Sequence, residues 1–300
     1  MDLAFHFPTT PQAVKAQALG LRPRDSVETA FQAILRNCIE QVQANAQGVA
    51  KFHHVESLHQ MRVGLRRLRA GLSLFRQIVS LPPALQHDLD WLVAALGPAR
   101  DWDVLAETTL ARVAGGLGEA PALDSMKLAA LDKARALHDA ASEAVRSARY
   151  AAFMEGMQEW IEERAWREVR LPGDKKTLAM PVKAFGAPLL AQAQRRLRKR
   201  GEQADWNDAP ARHRVRIAAK KARYAAEFLG ALAPRSVVKG YVGRLARLQD
   251  ILGRLNDDAV ALPLAEAACL VRGYLAADTV CGKGQLKRRW KRLKPEQRVL

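Results

Sequence analysis

The residues with the clearest chemical potential occur twice in the same order. His59-Gln-Met-Arg62-Val-Gly-Leu-Arg66-Arg67-Leu-Arg69 returns 154 residues later as His213-Arg-Val-Arg216-Ile-Ala-Ala-Lys220-Lys221-Ala-Arg223. A second phrase follows each copy: Leu96-Gly97-Pro-Ala-Arg100-Asp101-Trp-Asp103-Val104, then Leu252-Gly253-Arg-Leu-Asn256-Asp257-Asp258-Ala-Val260. Ordered matches at nearly one offset indicate a duplicated unit. Guanidinium, ammonium and imidazole groups at regular spacing suit one task above others, the holding of an anion with many oxygens.

On a helix at 100° per residue, His59, Arg62, Arg66 and Arg69 fall within an arc of roughly 80°. Met61, Leu65, Leu68, Leu72 and Phe75 gather on a neighbouring arc, so the segment has an apolar face and a cationic face. His213, Arg216, Lys220 and Arg223 repeat the stripe beside a lighter apolar face of Val215, Ala219, Ala222 and Ala226. Such cations repel one another, and Glu227 is the first acid to share the second stripe. The alternatives are a solvated helix face and an anion site; duplication with matched His-x-x-Arg openings favours the site.

The wider composition agrees. The chain has 300 residues, 49% of them apolar, and a net charge of +17. That is enough apolar material for a core, with a balance that favours polyanions: nucleic acid, acidic lipid surfaces or phosphate polymers. The first residues do not read as a signal peptide, and no apolar run approaches a membrane span. Cys38, Cys269 and Cys281 lack metal-ligand spacing and read as thiols of a reducing cytoplasm.

Nearly every segment reads as helix. Ser26 caps the first, to about residue 47. The first ladder helix covers about 54–79 and stops at Pro82-Pro83. Another covers 84–97 and ends at Gly97-Pro98, after which Asp101 starts the next, to about 114. Further helices cover about 122–147, 149–168, 183–201 and 210–232. One more ends at Leu255, and Asn256-Asp257-Asp258 starts another to about Ala276. Leu171-Pro172-Gly173 marks the boundary between halves.

These phrases resemble the CHAD family, the conserved histidine α-helical domain, and Lys287-Arg-Arg-Trp290 resembles its final helix. The likeness covers about residues 25–295, after an extension over 1–24. It implies an all-α fold of two pseudo-symmetric helical bundles, about 25–170 and 180–295, meeting at a basic groove or pore. It also implies binding of long-chain inorganic polyphosphate in the cytoplasm, often at polyphosphate granules. The chain has no Glu-x-Glu-x-Lys segment of the CYTH domain that many relatives carry, so no enzyme activity and no cofactor are expected.

Polyphosphate has no base edge to read, so repeated cations suffice. Helix neighbours about 5–6 Å apart match the need, and a ladder of about 15 Å spans several phosphates. The expected ligands are His59, Arg62, Arg66, Arg67 and Arg69, with His213, Arg216, Lys220, Lys221 and Arg223. Arg195, Arg198, Lys199 and Arg247 widen the groove, and the basic tail around Lys287–Arg298 is a less specific anion arm. Each ladder histidine either donates to phosphate or bonds an Asp of the other phrase; if it touches phosphate, binding tightens as pH falls. His53, His54 and His59 lack the i, i+4 pair of a helix-borne metal site. The aspartates Asp101, Asp103, Asp257 and Asp258 either cap helices and orient arginines or bind Mg²⁺ for phosphoryl chemistry. The competing functions are therefore nucleic-acid binding, on charge alone, and a metal-dependent phosphotransferase or phosphohydrolase.

Overall fold

The computed structural model describes residues 12–117, 121–168, 174–264, 278–279 and 282–290, and these are almost entirely helical. The helices are α1 (Val27–Phe52), α2 (Val55–Phe75), α3 (Pro83–Asp103), α4 (Leu110–Leu117), α5 (Pro121–Arg146), α6 (Ala148–Glu162), α7 (Asp174–Ala179), α8 (Val182–Glu202), α9 (Ala209–Leu229) and α10 (Arg235–Leu264). A helical run over 282–290 follows. Leu171-Pro172-Gly173, the expected boundary, lies outside the described residues, as do Cys269 and Cys281.

Local chemistry explains several boundaries. Ser26 Oγ accepts the Thr29 amide at 3.0 Å, and Asp208 Oδ2 accepts that of Ala211 at 2.9 Å, serving free amides at the starts of α1 and α9. His53 takes a left-handed conformation (φ 47°) and turns the chain from α1 into α2. Pro83 occupies the first turn of α3, where its missing amide costs nothing.

Two expected boundaries are absent. Pro98 does not end α3, which runs on to Asp103 and passes through a π-helical stretch, Val104–Thr109, into α4. Pro98 and Ala94, whose carbonyl loses its partner, are both exposed, so water can serve that carbonyl. Likewise Asn256-Asp257-Asp258 starts no helix but lies inside α10. Asp101 and Asp257 are therefore not caps.

α1 packs along α2, α3 against α2 and α5, α8 against α9, and α9 against α10. The ladder helices α2 and α9 also touch. The main core runs from Phe31, Leu35 and Met61 to Val215, Phe228 and Leu252. Phe75 of α2 stacks on Phe185 of α8 with centroids 5.3 Å apart. The starts of α1 and α8 are joined by reciprocal bonds, Val27 N–H to Met180 O (3.0 Å) and Val182 N–H to Asp25 O (2.8 Å). These partners stand at nearly the offset that separates the two ladders.

Candidate anion-binding site

The apolar face of α2 fixes its cationic face. Met61, Leu65 and Leu68 are fully buried, which rotates Arg62 and Arg66 to the flank of the core. Gly64 lets α2 approach closely: a Cβ there would meet the Val42 amide nitrogen at 3.2 Å and the Cys38 carbonyl at 3.3 Å. On α9, Val215, Ala219 and Ala222 are buried and set Arg216 and Lys220 in the equivalent posture.

The two ladders converge. Arg66 of α2 lies in the electrostatic reach of both Arg216 and Lys220 of α9. Asp101 of α3 lies in the electrostatic reach of Arg62 and also of Arg216 on the other ladder. Asp257 of α10 lies in the electrostatic reach of Arg216, Lys220 and Arg100 of α3. Four helices thus gather Arg62, Arg66, Arg100, Arg216 and Lys220 around Asp101 and Asp257. The pairings repeat: Arg62 with Asp101 as Arg216 with Asp257, and His59 near Arg100 as His213 beside Asn256.

This centre holds more cations than anions, and most of its side chains are half-buried. Burial holds the Lys220 ammonium down at about 7, and Arg216 and Arg66 add to the effect. Burial also lowers Arg62 and Arg216, against the opposing pull of Asp101 and Asp257 respectively. The Asp257 carboxyl is raised by burial, although Arg216 draws it the other way. The buried Nε atoms of Arg62, Arg66 and Arg216 have no hydrogen-bond partner, nor does His59 Nδ1. A buried donor without an acceptor is costly. A multivalent anion bound by these guanidinium and ammonium groups would offset their mutual repulsion.

The remaining expected ligands divide by position. Arg67, expected at the site, is instead turned into the core. It is 6% exposed and donates to Gln41 Oε1 (2.9 Å) and Asn37 Oδ1 (2.8 Å) beneath the Phe228 ring. Arg69 is ion-paired with Asp90, and Arg223 with Glu227 at 2.7 Å, so both ladder ends are already neutralised. Lys221, Arg195, Lys199 and Arg247 are exposed, and Arg198 lies 3.8 Å from Glu202. Part of the basic tail, residues 291–300, lies outside the described residues.

The histidines differ. His59 is half-buried, and burial, followed by Arg100, lowers its pKa. His213 is exposed, with Nδ1 3.2 Å from Asn256 Oδ1, a partner on the second phrase but not one of its aspartates. His53 and His54 are occupied separately, by Asp139 at 3.5 Å and Ser57 at 2.8 Å. Among the described residues no cluster of three or more His, Cys, Asp or Glu is placed to hold a metal ion. Cys38 is buried, which pushes its thiol up to about 12 and leaves it a packing group.

Sequence reasoning missed Arg100 and left Asp101 and Asp257 with open roles. The signal was present, because each acid stands at nearly the same distance behind a ladder arginine, 39 and 41 residues. It also missed His138, whose Nε2 lies 2.9 Å from Asp103 Oδ1 in a buried pair beside Arg62. That contact joins α5 to α3 and leaves no trace in the duplication.

Known proteins match this arrangement. A crystal structure of the CHAD domain from the plant Ricinus communis superposes with a TM-score of 0.84 at 36% identity, over 95% of this chain and 99% of that one. PptA from Streptomyces chartreusis shares the fold with a TM-score of 0.66 at 17% identity, over 90% of this chain and 99% of that chain. Curated protein sequences gave no match. Among the described residues no helix is long and apolar enough to cross a membrane. The CHAD domain model matches residues 33–266, and the chain belongs to the CHAD family.

Proposed function

We propose that the protein binds long-chain inorganic polyphosphate, without turning it over, in a basic groove between two pseudo-symmetric halves. The observation that carries the reading is the convergence of Arg62, Arg66, Arg216 and Lys220, three of them with buried, unpartnered Nε donors. Membership of the CHAD family supports it. The groove runs between α2 and α9 and is widened by the exposed Arg195, Arg198, Lys199, Lys221 and Arg247. Asp101 and Asp257 are positioning residues that hold the arginines apart and aimed. The reciprocal bonds between the starts of α1 and α8, and the repeated Arg–Asp pairings, support two-fold relatedness. The same binding would place the protein at cytoplasmic polyphosphate granules.

Titration with orthophosphate, tripolyphosphate and long polyphosphate at two salt concentrations tests the reading. Affinity should rise with chain length and fall steeply with salt, because counterions are released on binding. Equal affinity for orthophosphate and the long polymer would overturn it. Displacement of the polymer by DNA of equal charge would assign the surface to general polyanions.

A further inference from the structure

Beside the second ladder is a recess that a bare phosphate chain does not require. A cleft of about 460 Å³ lies between the first turns of α9 and the middle of α10. Ala209 and Pro210 form its exposed apolar wall above the buried Leu252 and Leu255, while His213, Asn256 and Arg216 give it a polar side. Arg216 belongs to both features, since it lines the cleft and lies in the field of Arg66, Asp101 and Asp257. The cleft is therefore continuous with the cationic centre.

We propose that this cleft holds the nucleoside end of a nucleoside polyphosphate, with the phosphates running from Arg216 toward Lys220 and Arg66. The proposal rests on the reading of the centre as a phosphate site. Inorganic polyphosphate has nothing to bury against the apolar wall of Ala209 and Pro210, whereas a nucleobase has two apolar faces and a polar edge. The volume lies within the range of about 300–1,000 Å³ that ring-bearing small ligands occupy. Asn256 Oδ1 is engaged by His213 Nδ1, which leaves its NH₂ group to donate to a base edge. The exposed His213 ring offers a flat surface for stacking. Binding is non-covalent, and no reaction is assigned.

Calorimetric titration of the full chain with ATP, inorganic tripolyphosphate and long polyphosphate tests this. Tripolyphosphate carries the same number of phosphates without the base, so a site that reads charge alone holds it at least as well as ATP. The cleft predicts that ATP binds about tenfold tighter, as burial of the base adds to the phosphate contacts. Ala209→Trp, at an exposed position in the first turn of α9, fills the cleft. It should abolish the ATP advantage and leave tripolyphosphate within about twofold. Asn256→Ala gives an independent check that leaves the apolar walls intact, and should weaken ATP alone. Long polyphosphate should displace ATP, since both need Arg216. The proposal is overturned if ATP binds no tighter than tripolyphosphate, or if its advantage survives Ala209→Trp. Failure of long polyphosphate itself to bind would remove the reading of the centre, and this one with it. Binding of the polymer without an ATP advantage would remove the cleft assignment alone.

Discussion

Lys220 is one group through which pH acts on this site, beside His59 and Asp257. The Lys220 pKa falls from 10.5 in the open chain to about 7 when buried beside Arg216 and Arg66. Between those values the unfolded chain holds a proton that the folded chain has released, so stability rises with pH across that window. Denaturant titration should show this slope in the ligand-free protein and a reduced slope in Lys220→Met. Bound phosphate restores the charge, so binding takes up a proton and affinity falls as pH rises above about 7. Proton uptake measured in two buffers of different ionisation heat checks the sign. The sequence ties pH dependence to the histidines only if they touch phosphate; burial and Arg100 lower the His59 pKa, and Lys220 adds a transition near 7. The neighbours of each arginine rank the others. Arg66→Gln should weaken polyphosphate binding by about tenfold or more, the worth of one charge-assisted contact. Arg69→Gln, with Asp90 already beside it, should cost less than about threefold. Arg67→Met should leave affinity nearly unchanged and lower the melting temperature, because it strands Asn37 and Gln41 in the core.

The helices set how closely these groups can meet. Gly97 and Gly253 occupy equivalent places in the two second phrases but face different neighbours. A Cβ at Gly97 would lie 3.3 Å from Arg62 Nη1, whereas nothing stands within 4 Å of one at Gly253. Gly253→Ala should therefore stabilise α10 by up to about 1 kcal/mol, the helix-propensity gain. Gly97→Val should displace the Arg62 guanidinium and weaken binding several-fold while leaving the circular dichroism spectrum unchanged. Much of this architecture was legible in the chain. The ladders, their helices and their shared offset follow from residue type and period. Three features were not. Arg67 lies within a basic stripe, and only α1, through Asn37 and Gln41, draws it inward. Pro98 reads as a terminus, and its exposed position lets α3 continue. Asp101 and Asp257 read as caps, and their work is done mid-helix against arginines from two ladders. The Arg67 and aspartate misses came from contacts between distant segments that helical periodicity does not encode, and the Pro98 miss from the solvent that serves a freed carbonyl.

As a whole the molecule has one large core and a smaller one around Leu105, Leu110 and Leu123. The C-terminal helical run closes against the large one: Leu286 is fully buried, and the Trp290 ring lies against Gly201, where a Cβ would come within 2.1 Å. Gly201→Val should lower the melting temperature by displacing that ring, with ladder binding affected less than by Arg66→Gln. The fold brings α2 and α9 together, so a single polymer would touch both ladders at once. A double-mutant cycle on Arg66→Gln and Lys220→Gln, titrated with long polyphosphate at one ionic strength, tests this most directly. Each single change should cost about 1.5–3 kcal/mol. The pair should depart from additivity by about 0.5 kcal/mol or more, as groups in one interaction network do. Additive losses, or losses no larger than that of Arg69→Gln, would contradict a shared site and leave a diffuse cationic surface in its place.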